Sequence, residues 1–145
     1  MSATGFQRLA AGIVAMLGGA VPVAAHVDRA RGRPIPQGVP SAVVVRLRGS
    51  TAESGRMAFA PVEWATQVLV ECYAAAPGSA AGEALVDPLL LAVHDRLAAD
   101  PQLGGLARDS EIQQIAWDID SADLPAGCAG LLLLVRHRTP AASIF

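Results

Sequence analysis

Hydrophobic positions along the chain change period several times, and each change marks an element. Phe6, Leu9, Ile13 and Leu17 recur at spacings of three and four, which places them on one face of a helix from about Ala3 to Leu17. Gly18 and Gly19 punctuate its end. Val21 to Val27 predicts a short strand. From Ser41 to Arg48, Val43, Val45 and Leu47 point one way, and Val44, Arg46 and Arg48 the other. Val62 to Tyr73 alternates most cleanly: Trp64, Thr66, Val68, Val70 and Cys72 oppose Glu63, Ala65, Gln67, Leu69, Glu71 and Tyr73. Glu83 to Ala99 returns to helical spacing, with Val86, Leu89, Leu90, Val93 and Leu97 as its apolar stripe. Ile112 to Asp120 and Ala129 to Arg138 alternate again. The leucine run in the last segment predicts a central strand covered on both sides.

Polar, glycine and proline residues set the connections. Arg29 to Pro40, RARGRPIPQGVP, is an extended arm or ordered loop. Gly49 to Arg56 is a polar hairpin tip, and Leu103 to Leu106 a turn. Pro88 fits a helix that begins near Asp87, with Asp87 as N-cap and Pro88 in the first helical position; otherwise it kinks the first turn. The expected fold is α/β (α+β). It has two layers, a mostly antiparallel sheet of four to five strands packed on two main helices, in one domain over 1–145.

The chain has 145 residues, 52% hydrophobic and 17% charged. This is enough apolar material for a core and too much for a disordered chain. Net charge is −2, so there is no basic footprint for nucleic-acid binding. All the Lys+Arg are arginine, a bias that, with the abundant alanine, reads as codon usage. Leu9 to Ala25 follows Arg8 and ends in small residues, which also fits a secretory signal peptide. Folded helix and cleaved leader are the two readings of that run.

Catalytic and metal-binding patterns are missing from the sequence. Cys72 and Cys128 form no CxxC motif and are expected as buried reduced thiols. His26 and Asp28 form an H-x-D. His94 and Asp95 are neighbours on a helix and are not expected to face each other. Arg136 and Arg138 flank His137 and disfavour its protonation. No zinc spacing is present, and Asp118, Asp120 and Asp123 lack the rest of a calcium loop. No G-x-S-x-G elbow, P-loop or dinucleotide fingerprint occurs. The expectation is a protein that is not an enzyme and has no cofactor. Trp64 and Trp117 are core or interface aromatics.

The strands place charges with period two: Arg46 and Arg48, Glu63 and Glu71, Asp118 and Asp120, Arg136 and Arg138. Opposite charges on neighbouring strands contribute about 0.2–1 kcal/mol each. They are either ordinary surface pairs or a contact surface with another copy or partner. The apolar tail tip, Ile144-Phe145, is a further contact candidate.

The chain resembles the tail terminator proteins of long-tailed bacteriophages, the minor tail protein U-like (tail completion) family. The resemblance runs from about Phe6 to Ser143. It is carried by the opening helix, VPSAVVVRLRGS, STAESGR, WATQVLVECYAAAP, ALVDPLLLAVHDRLAADPQLGG, IQQIAWDID and AGCAGLLLLVRHRTP. These are profile-like similarities without an invariant motif. The signal-like N-terminus departs from the family's more charged opening helix. The resemblance implies a homohexameric ring that caps the tail tube, ends its polymerisation and docks the head-tail connector. The implied partners are other copies, the major tail tube protein and the connector or head completion protein. DNA passes through without sequence-specific binding, and no membrane is involved. The implied location is the head-proximal end of the virion tail, assembled in the host cytoplasm. Arg48, Ser50, Thr51, Glu53 and Arg56 are then candidate tube or connector contacts. Arg46, Glu63, Glu71, Asp118, Asp120, Arg136, Arg138, Ile144 and Phe145 are candidate inter-subunit contacts. The alternatives are another neck or tail-completion component, and a small exported binding protein.

Overall fold

A computed structural model describes residues 3–19, 21–29, 41–53, 60–75, 82–118, 126–140 and 144. The elements are α1 (Gly5–Gly18), β1 (His26–Arg29), β2 (Ser41–Ala52), β3 (Val62–Ala75), α2 (Gly82–Ala99), a short 3-10 turn (Leu103–Gly105), β4 (Asp109–Asp118) and β5 (Ala126–Thr139). The five strands form one sheet in the order β1-β2-β3-β5-β4. All pairings are antiparallel except β1 with β2. The expected α+β architecture is therefore present, with β5 an interior strand.

α1 starts at Thr4, whose Oγ1 accepts the Gln7 N–H at 3.2 Å, one of the donors a helix start leaves unpaired. It ends at the expected glycines, Gly18 and Gly19. Leu9, Ile13 and Leu17 are fully buried, each burial contributing about 1.5–3 kcal/mol. The first part of the run that imitates a leader therefore supplies core residues.

α2 begins at Gly82, so Asp87 is not its N-cap and Pro88 lies inside the helix. An interior proline costs about 3 kcal/mol. Here Pro88 is exposed, while Val86, Leu89 and Leu90 beside it are buried; packing of that face outweighs the lost hydrogen bond. Both helices lie on the same side of the sheet, over Val43, Val45, Val68, Val70, Leu131 and Leu133. On the opposite side Leu132 is buried and Leu134 half-buried.

β2 runs to Ala52, so Gly49 to Ala52 is strand and not the expected turn; Arg56 lies outside the described residues. Cross-strand bonds explain the extension. Ser50 Oγ lies 2.7 Å from Thr66 Oγ1, and the Glu53 N–H donates to Glu63 O at 2.9 Å. A bulge between Leu47 and Gly49 leaves Arg48 as the extra residue and breaks the alternation there. A second bulge lies between Ile112 and Gln114 on β4. After α2, the chain turns through Gly104 (φ 70°) and Gly105 (φ 91°), left-handed positions that suit glycine. No helix among the described residues is long and apolar enough to cross a membrane.

Candidate functional site

The β-ladder brings most of the predicted charged residues together on the sheet face away from the helices. β3 lies between β2 and β5, and Glu63 pairs in register with Arg138. Arg138 Nε donates to Glu63 Oε1 at 2.6 Å, and its Nη2 also approaches that oxygen. Arg108 adds a longer contact to the same carboxylate, 3.8 Å. Arg136 Nη1 donates to Asp109 Oδ1 at 3.1 Å, with Glu111 at 3.5 Å and Glu53 at 4.0 Å. These carboxylates, Asp109 first, hold the Arg136 pKa above its ordinary value. Farther along the sheet, Arg46 Nε lies 2.7 Å from Glu71 Oε1, an ion pair whose angle falls short of a hydrogen bond. The Tyr73 hydroxyl donates to the other Glu71 oxygen, and burial pushes the Tyr73 pKa up.

The acids that β4 contributes to this network differ from the expected ones. Asp118 closes β4, Asp120 lies outside the described residues, and Arg136 is served instead by Asp109 and Glu111. The signal for them was the period-two spacing Asp109-x-Glu111 just ahead of Ile112. Phe145 lies outside the described residues. Ile144 is about half exposed, and its carbonyl accepts the Gly5 N–H at 2.7 Å.

A second cluster lies on the helix side, at the same end of the sheet. Thr66 Oγ1 is 2.6 Å from His137 Nε2 and continues the chain of hydroxyls from Ser50. Trp64 Nε1 donates to Thr139 Oγ1 at 2.8 Å. The Phe6 ring stands edge-on to both Trp64 and His137, with centroids 5.2 and 5.4 Å away. His137 is buried, and its pKa is lowered by that burial, with Glu63 opposing. Arg136 and Arg138 point to the other face, so the cause expected from the sequence is not the operative one. Arg48, Gly49 and Ser50 line a shallow cleft against Thr4, Phe6 and Gln7. The β2–β3 hairpin, the start of α1, the end of β5 and Ile144 therefore converge at one pole of the molecule.

The remaining predicted chemistry is scattered. His94 Nδ1 does reach its neighbour, 3.1 Å from Asp95 Oδ1, on the exposed side of α2. Cys72 and Cys128 are not joined in a disulfide; Cys72 is buried and Cys128 only half-buried, so the expected pair of buried thiols holds for the first alone. Burial, with Cys128 adding, pushes the Cys72 pKa up to about 12. Among the described residues no three His, Cys, Asp or Glu side chains are grouped to hold a metal ion. The arrangement offers a patterned polar surface.

No protein-family model matches the chain, and no curated protein does. Among solved structures, a chain in the virion of a native gene transfer agent (GTA) particle matches with a TM-score of 0.51 and 17% sequence identity. The match covers 94% of this chain and 92% of that one. The two chains therefore share a fold almost end to end.

Proposed function

We propose that this chain is a structural subunit of a phage-like virion, and within it the tail terminator. A homohexameric ring caps the tail tube, ends its growth and offers the head-tail connector a docking surface. The observation that carries the reading is the near end-to-end correspondence with a gene transfer agent virion chain. The sequence resemblance to tail terminators agrees with it. A structural role without catalysis is part of the proposal, as is passage of DNA without tight binding, which the net charge of −2 favours.

The converging pole is the surface proposed to meet the tube or connector. Thr51 and Glu53 are exposed there at the end of β2. The charged sheet face is well paired within one copy, which suits a preformed surface more than a set of open charges.

The test is made on particles from the producing cell. The chain should be present in purified virions at the head-proximal end of the tail. Cells lacking it should make headless tails of uncontrolled length. Particles that do not contain the chain, or normal tails in its absence, would sink the reading.

A further inference from the structure

The cleft between the start of α1 and the bulge of β2 is the strongest unassigned feature. Its volume is about 320 Å³, and Phe6 and Leu47 give it apolar walls. Thr4, Gln7, Ser50 and Thr66 add hydrogen-bonding groups. Among the described residues that line it, Arg48 carries the only charge. Arg46, Arg136 and Arg138 each meet a carboxylate on the sheet face away from the helices. Arg48 does not. As the extra residue of the bulge it has no cross-strand partner in register. It is exposed and forms no ion pair among the described residues. Glu53, farther along the chain, lies 4.0 Å from Arg136. An unanswered guanidinium among hydroxyls, in a recess without acids, complements an anion.

The hydroxyls of the cleft are already ordered to donate outward. Ser50 Oγ donates to Ala65 O, but at 3.4 Å, a long bond. With the Ser50 hydrogen so directed, the 2.7 Å contact to Thr66 takes the Thr66 hydrogen. The 2.6 Å contact between Thr66 and His137 then takes a hydrogen on Nε2. The hydrogens therefore run from the buried imidazole to the exposed serine. A carboxylate at the cleft is a stronger acceptor than the Ala65 carbonyl. It draws the Ser50 hydrogen to itself without reversing the rest of the chain.

We propose that this cleft binds the side-chain carboxylate of an aspartate or glutamate carried by the protein that docks at the pole. Arg48 supplies the charge and Ser50 the hydroxyl, with Thr66 and His137 as positioning residues behind Ser50. The inference rests on the docking reading above and names the chemistry of the partner.

A nuclear magnetic resonance titration of the full-length protein tests it. The probe is a capped peptide, Ala-Thr-Glu-Thr-Ala, with Ala-Thr-Gln-Thr-Ala as its neutral counterpart. The glutamate peptide is expected to give saturable shifts at the Arg48, Ser50 and Thr66 amides and at the His137 imidazole. Loss of the charge-assisted bond should weaken binding roughly tenfold or more, both for the glutamine peptide and for Arg48→Gln. Arg48→Lys should recover part of that loss. Ser50→Ala should keep the Arg48 response and lose the His137 response, a split that a merely structural role for Ser50 would not produce. Native amide spectra of each variant control for folding. The proposal is overturned by a glutamate peptide without saturable shifts, by equal binding of the two peptides, or by an Arg48→Gln variant that binds like wild type. A His137 response that survives Ser50→Ala overturns it as well. Presence of the chain in virions is read separately. Peptide binding by a chain absent from particles removes the function and leaves the site; a virion chain that ignores the peptide does the reverse.

Discussion

The guanidinium of Arg96, on α2, closes the end of α1, with Nη1 3.3 Å from the Leu17 carbonyl oxygen. The same nitrogen lies 3.4 Å from Met16 O and 2.5 Å from Val21 O. The last carbonyls of a helix have no partner within it, and they carry partial negative charge. One cation on the neighbouring helix answers both needs and ties the helices together. Arg96→Met keeps most of the aliphatic stem and removes the donors. It should cost about 1–2 kcal/mol in denaturant unfolding, and Arg96→Lys should recover part of the loss. A methionine variant as stable as wild type would show that water serves these carbonyls equally well.

His137 makes stability depend on pH. Burial lowers its pKa in the folded state below the ordinary 6.5. The unfolded chain therefore binds the proton first as pH falls. The contribution of a neutral His137 is complete above about pH 6.5 and is lost as pH drops toward the lowered folded value. His137→Gln keeps a group able to bond Thr66 without this titration. Its unfolding free energy should vary less with pH than that of wild type between about pH 7 and pH 5. Parallel pH profiles for the two proteins would contradict this account.

How far the sequence could be read follows from these residues. β2, β3 and β5 were legible because one sheet face is packed by helices and the other is not, which imposes period two. The extra residues at Arg48 and Gln113 carry no such signature, so the two bulges were not legible in the alternation. The start of β4 was missed because Asp109, Ser110 and Glu111 are polar, and only pairing with β5 makes them strand. Pro88 suggested a later start for α2; burial of Val86 and its neighbours overrides that local signal. The charges of the candidate site were visible, but their partners were not. Strand order decides that Glu63 meets Arg138, and sequence spacing does not contain strand order. His137 shows the same limit: its sequence neighbours lie on the opposite face, while Thr66 and Phe6 set its environment.

The Glu63–Arg138 pair should be cooperative but modest. Arg138 is largely exposed and Glu63 is not, with side-chain exposures of 61% and 18%. A double-mutant cycle with Glu63→Gln and Arg138→Gln should give a coupling of about 0.2–1 kcal/mol. Glu63→Gln alone should cost more than Arg138→Gln, because it strands two arginines, Arg108 as well as Arg138. The coupling should shrink as salt is added. A salt-independent coupling would mean that packing, not charge, joins the two side chains.

Cys72 should be chemically silent in the native protein. The thiolate is the reactive form, and a pKa pushed up to about 12 by burial leaves almost none of it near neutral pH. Access is closed as well, since Cys72 is fully buried on the helix side of β3. An alkylating reagent at about pH 8 should therefore modify Cys72 only after unfolding, and at a rate set by opening of the core. The raised pKa also has a thermodynamic sign. Above its ordinary value of 9.0 the unfolded chain loses the thiol proton while the folded chain retains it. Stability should then fall as pH rises through 9 toward about 12. Cys72→Ala removes this ionisation, so the variant should lose less stability than wild type over that alkaline range, although its smaller side chain lowers stability at neutral pH. Rapid alkylation of Cys72 in folded protein, seen by peptide mass analysis, would show that β3 and the helices over it separate far more often than this packing implies.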